Sequence, residues 1–177
     1  MKNPTVGIVM GSDSDLPVVK GALEVLEHFN VSFEALILSA HRTPAETVDY
    51  AKSLIKRGVK VVITAAGGAA HLAGIIAAHT TIPVIGIPIK TSTLNGIDSL
   101  YSIVQMPPGV PVATVGINSA KNAALLAIEM LAIENKDLQK KLITYKKTQN
   151  DDVVNKSKKL QKTGYKEYLK VMEQKKS

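Results

Sequence analysis

The segment Ser39-Ala40-His41-Arg42-Thr43-Pro44 puts an imidazole beside a guanidinium, between an apolar run and a proline that can open a helix. Arg42 is one of two arginines against twenty lysines. A guanidinium at a strand-to-helix junction points to planar, two-pronged recognition of phosphate or carboxylate. His41 can give and take a proton near neutral pH, as general acid–base chemistry requires. A lone loop histidine is usually bland, but the neighbouring Arg42 and Ser39 favour the chemical reading. The other arginine, Arg57, falls at an expected helix C-terminus, where the helix dipole accounts for it.

Two further loops have unusual composition. Gly11-Ser12-Asp13-Ser14-Asp15 offers small residues, hydroxyl donors on Ser12 and Ser14, and the free N–H groups of a following helix, a setting that suits an anion. Asp15 fits either as an acceptor for ribose hydroxyls or as a plain helix cap. Ala65-Ala66-Gly67-Gly68-Ala69-Ala70-His71-Leu72 supplies backbone donors and room for a flat ligand. His71 reads equally as a ligand contact or as a structural donor in a tightly packed turn.

Other chemistries are excluded by what is missing. The chain has no Cys, which removes disulfides, thiolate metal sites and cysteine nucleophiles together. The four His show no HExxH spacing, and His28 and His79 lie on helices away from the loops, so no metal site is expected. No GxxxxGK[ST], no Gly-x-Gly-x-x-Gly after the first strand and no GxSxG occurs. The net charge of +7 is confined to residues 134–177, which hold thirteen Lys, six acids and no Arg, whereas residues 1–133 balance nine against nine. A solvated Lys-rich helical surface explains that excess better than nucleic-acid binding, which recruits Arg and stacking aromatics. No secretory leader or membrane-spanning run is read, so the expected compartment is the cytoplasm, with no membrane partner.

These loops need elements to hold them. Apolar β-branched runs at 5–10, 32–38, 60–66, 83–89 and 112–115 alternate with helical periodicity at 16–29, 44–57, 72–79, 97–106 and 118–133. Thr43, Pro44 and Glu46 read as a capping box with proline at the first helical position, and Gly58 as the end of that helix. Strands apolar on both faces, alternating with helices, predict a flavodoxin-like three-layer α/β sandwich around a parallel sheet. The helices at 72–79 and 118–133 are more apolar than one sheet contact needs, which predicts an oligomer. Residues 1–133 are expected to form the catalytic domain, and residues 134–177 a helical extension laid over the body or a neighbouring subunit.

Taken together, Gly11–Asp15, Ser39–Pro44, Gly67–Leu72, Asp98-Ser-Leu-Tyr-Ser-Ile-Val-Gln-Met-Pro107, Gly109–Val115 and Asn122–Leu126 resemble the class I N5-carboxyaminoimidazole ribonucleotide mutases, also called the phosphoribosylaminoimidazole carboxylase catalytic subunit family. The resemblance covers about residues 5–133 in unbroken order. One departure is Ala73, where the family often has Pro; it removes no polar group. The resemblance implies the purine-pathway interconversion of N5-carboxyaminoimidazole ribonucleotide and 4-carboxy-5-aminoimidazole ribonucleotide, without ATP, metal or other cofactor. It also implies a homo-octamer with active sites at subunit contacts. Carried over by position, Ser12, Ser14 and Arg42 hold the phosphate, with Ser39 beside them, and Asp15 holds the ribose. His41 is the acid–base residue, while Gly67, Gly68, Ala70, His71 and Leu72 close over the imidazole ring.

The nearest rival is the class II reaction, direct carboxylation of aminoimidazole ribonucleotide by free CO2. A non-catalytic phosphometabolite-binding module, or a basic scaffold using the Lys-rich tail, is the rival from another class; the scaffold would leave His41 and Arg42 idle.

Overall fold

The structure is a computed structural model that describes residues 3–174. Five parallel strands, β1 (Val6–Met10), β2 (Phe33–Ile37), β3 (Val61–Gly67), β4 (Val84–Ile89) and β5 (Ala113–Thr114), pair in the order β2-β1-β3-β4-β5. This is the flavodoxin-like order, in which the chain reverses its direction of travel at β1 and opens a crevice between β1 and β3. Inner strands β1 and β4 are buried throughout, whereas the edge strand β2 is half exposed, so the apolar density of each run follows its place in the sheet.

Helices cover both faces. On one, α1 (Leu16–His28) packs along α5 (Ala120–Ala132) and both meet the sheet through Val19, Ala22, Leu26, Ala123, Ala124 and Ile128. On the other, α2 (Pro44–Ser53), α3 (Leu72–Ala78) and α4 (Ile97–Val104) enclose a core of Val9, Tyr50, Leu54, Val62, Leu72, Ala73, Ile76 and Ile103. Burying each large aliphatic side chain in these layers contributes on the order of 1.5–3 kcal/mol. Ala73 is fully buried in this core.

The chain divides between Asn135 and Lys136 into two units. The second consists of α6 (Lys136–Thr163) and α7 (Tyr165–Gln174), separated at Gly164, whose φ of +73° suits glycine. Among the described residues no helix is long and apolar enough to cross a membrane.

Three local expectations are corrected. The helix expected from Pro44 to Arg57 stops at Ser53 and continues as turns to Gly58 (φ +80°). Thr43 makes no capping bond. Its Oγ1 instead accepts from the Ser39 N–H at 2.9 Å and donates to the Ser39 carbonyl at 3.1 Å, closing the turn that carries His41 and Arg42. Arg57 is not simply a dipole partner, since it forms an ion pair with Glu34 and lies 5.6 Å from the centre of the Tyr50 ring. The Tyr50 hydroxyl donates to Glu34 at 3.0 Å, and burial beside that carboxylate pushes the phenol well above its usual range.

Candidate active site

A cavity of about 580 Å3 opens beyond the carboxyl ends of β1 to β4, at the switch point of the sheet. Ser12, Ser14 and Asp15 line it from the loop after β1, and Ser39, His41 and Arg42 from the loop after β2. Gly67, His71 and Leu72 line it from the loop after β3. Gly68 and Ala70, expected with them, do not line the cavity; Ala70 is buried in the α2–α4 core. Lys90 and Thr91 line it from the loop after β4, which has neither the imidazole–guanidinium pair nor the Gly/Ala run of the loops after β2 and β3. Their signal was position: they follow a strand at the same edge of the sheet as the other three loops.

The first loop is held by a reciprocal cap. Ser12 Oγ accepts from the Ser14 N–H at 3.3 Å, and Asp15 Oδ2 accepts from the Ser12 N–H at 3.2 Å. The capping box therefore stands here, on a short 3-10 turn at Asp13–Asp15 leading into α1, and not at Thr43. Asp15 is 7% exposed, and its burial raises the carboxyl above its ordinary range despite the two backbone N–H groups that favour the charged form.

Arg42 reaches from the loop after β2 to the neighbouring end of β1. Its Nη2 donates to the Gly11 carbonyl at 2.9 Å and its Nε to Ser39 Oγ at 3.3 Å. Two of five N–H donors are thereby used to fix the plane, and the rest remain for an anion. With Lys90 also on the wall, the lining carries two cations against the single carboxylate of Asp15.

His41 Nε2 lies 2.9 Å from His71 Nδ1, with the two rings crossed at 81°. At that distance one nitrogen donates and the other accepts, so the tautomer of either ring sets that of the other. Thirty positions of sequence separate the two rings. The arrangement places an anion grip and a proton donor–acceptor within one concave site. Among the described residues no group of three or more His, Asp or Glu is placed to hold a metal ion.

The AIR carboxylase family profile matches residues 5–152. The N5-carboxyaminoimidazole ribonucleotide mutase of Thermotoga maritima is 57% identical over 166 residues, covering 94% of this chain and 97% of that protein. The protein of the same name from Pyrococcus horikoshii is 55% identical over 168 residues, 95% of each chain. The phosphoribosylaminoimidazole carboxylase of Saccharomyces cerevisiae is 54% identical over 169 residues, which span 96% of this chain but 30% of the longer yeast protein. In structure, the chain matches Treponema denticola PurE with a TM-score of 0.82 and 28% identity, covering 89% of this chain and 98% of that one. With a profile match through most of its length and relatives above half identity from end to end, the chain belongs to the AIR carboxylase family.

Proposed function

We propose that this chain is a mutase that converts N5-carboxyaminoimidazole ribonucleotide to 4-carboxy-5-aminoimidazole ribonucleotide in purine biosynthesis. The observation that carries this reading is one crevice lined by both a coupled imidazole pair and a guanidinium with free donors. Relatives of nearly equal length that carry the mutase name support it over carboxylation by free CO2.

The substrate has an anion at each end, a phosphate and a carbamate. Arg42, Ser12 and Ser14 suit the phosphate, and Asp15 the ribose hydroxyls. The carbamate N–C bond breaks to give CO2 and aminoimidazole ribonucleotide, and the nitrogen takes a proton from the His41 imidazolium. The ring carbon then attacks CO2, and neutral His41 removes the proton from that carbon, which restores the starting imidazolium. Proton and carboxylate are both conserved, so no external reductant or energy source enters. Small residues Gly67 and Ala69 bring the wall close to the ring and keep CO2 near the attacking carbon, a proximity effect. The chemistry is assigned to residues 1–133, with the extension outside it.

The same reading includes a homo-octamer. Ile97, Tyr101 and Val104 form an exposed apolar stripe on α4, next to Leu94, and support burial against another copy. The test of function is an ultraviolet assay of 4-carboxy-5-aminoimidazole ribonucleotide formation from each substrate, with and without added bicarbonate. Rapid formation from the carbamate without bicarbonate is expected; formation only from aminoimidazole ribonucleotide, and only with bicarbonate, would establish the carboxylase instead.

A further inference from the structure

On α4, the side chains of Asp98, Ser99 and Ser102 turn toward the two loops on the far wall of the crevice. Ser99 is fully buried. Its Oγ accepts from the Gly68 N–H at 2.9 Å and donates to the Ile89 carbonyl at 2.7 Å. One hydroxyl thus joins the end of β3 to the end of β4, and each strand end borders the cavity. Ser102, one helical turn on, places its Oγ 3.1 Å from the Gly68 carbonyl and 2.8 Å from the Asp98 carbonyl. Asp98 in turn accepts from Thr91 Oγ1 at 2.9 Å, fixing the loop after β4.

The Gly68 peptide is therefore gripped on both sides by α4. Gly68 has φ of +67°, a conformation that side-chain-bearing residues rarely hold, and its carbonyl also receives the Ala70 N–H at 2.8 Å. His71 follows three residues later, with its N–H on the Ala69 carbonyl at 2.8 Å and its ring against His41. Few bonds intervene between the Ser99 hydroxyl and the orientation of the His71 ring.

We infer that Ser99 and Ser102 are positioning residues for the reaction: they clamp the Gly68 peptide so that the turn after β3 holds His71 at hydrogen-bond distance from His41. This rests on the reading of His41 as the proton carrier. An unaided turn of Gly and Ala has many backbone conformations, and a proton relay tolerates little error in donor–acceptor distance. A buried hydroxyl that donates and accepts at once fixes the register of both loops, whereas an apolar residue there would remove this partner from the part-buried Gly68 N–H and from the buried Ile89 carbonyl.

The test compares wild type with Ser99→Ala, Ser99→Thr and Ser102→Ala for kcat and KM on the carbamate. It also follows the ring resonances of all four histidines by NMR with labelled histidine. In Ser99→Ala, kcat is expected to fall about 10–100-fold with KM within about threefold, because the phosphate grip lies on the opposite loops. The His41 and His71 resonances should shift together while His28 and His79 stay in place, and Ser99→Thr, which keeps the hydroxyl, should recover most of kcat. If Ser99→Ala does not fold, Ser102→Ala, which removes one bond to an accepting carbonyl, carries the same comparison. A folded variant that keeps wild-type kcat, or loses it with the two ring resonances unmoved, overturns the clamp. Should wild type itself leave the carbamate untouched, the functional reading falls, and the ring resonances alone decide the clamp.

Discussion

His41 Nε2 and His71 Nδ1 stand 2.9 Å apart, so the ring assigned to proton transfer is already engaged by a second imidazole that can accept its proton or donate one back. The two are not equivalent, because His41 sits beside Arg42 and His71 begins α3. Removing His41 should abolish turnover, by at least about 10²–10⁴-fold, the usual worth of a general acid–base group. His41→Asn should still bind the ribonucleotide, as calorimetry would record. His71→Asn keeps a hydrogen-bonding partner in place and should cost less. Substantial isomerisation by His41→Asn would transfer the proton role elsewhere.

Arg42 tests the anion grip separately from the chemistry. Its Nε and Nη2 bonds to Ser39 and Gly11 orient a rigid fork that lysine cannot reproduce. Arg42→Lys should raise KM roughly tenfold, about 1.4 kcal/mol, with a smaller change in kcat. Steady-state kinetics checks this. A variant that instead lost kcat with KM unchanged would place the guanidinium in the reacting half of the site.

Asp15 predicts opposite effects on stability and binding. Burial holds its carboxyl above the ordinary value of 3.8, so on raising the pH the unfolded chain ionises first and folding loses free energy until the native group ionises too. The favourable contribution is thus present below that range and lost above it. Asp15→Asn keeps an oxygen for the Ser12 N–H but never ionises. Its melting temperature relative to wild type should therefore rise as pH passes upward through the acidic range, and stay at or above wild type at neutral pH. Its KM should rise, because a neutral amide holds ribose hydroxyls less well than a carboxylate. A variant less stable than wild type at neutral pH would make the cap the main purpose of Asp15.

How much of this could be read in advance follows from the range of each interaction. Alternating apolar runs and Gly/Ser loops are local signals, and they identified the strands and three of the four loops around the cavity. The cap at Ser12 and Asp15 is also local, yet Thr43 with Glu46 looked the better capping box. Which hydroxyl caps depends on the path of the Ser39–Thr43 turn, where a free backbone N–H claimed Thr43 first. Arg57 with Glu34, His41 with His71, and Gly68 with Ser99 are 23, 30 and 31 residues apart in sequence. No periodicity encodes such pairs; only the sheet order β2-β1-β3-β4-β5 brings their strand ends together. On α3 and α5, where excess apolar surface is expected from the sequence, Ile75, Leu125 and Leu126 are half-buried in the single chain.

The exposed stripe on α4 provides the test of assembly. Tyr101 is 59% exposed and Ile97 44% in the single chain, so neither supports the core of the isolated subunit. Replacing Tyr101 by Glu should leave folding intact, with circular dichroism unchanged, while placing a charge where a second copy would bury apolar surface, at a cost of several kcal/mol per contact. If the proposed octamer uses this face, sedimentation velocity should then shift toward smaller species. Ser99 and Ser102 extend from the same short helix toward the crevice, so a contact on its outer face would stiffen the element that holds Gly68. Activity should therefore fall with dissociation and recover at protein concentrations that restore assembly. An unchanged sedimentation profile for Tyr101→Glu would move the subunit contact off α4.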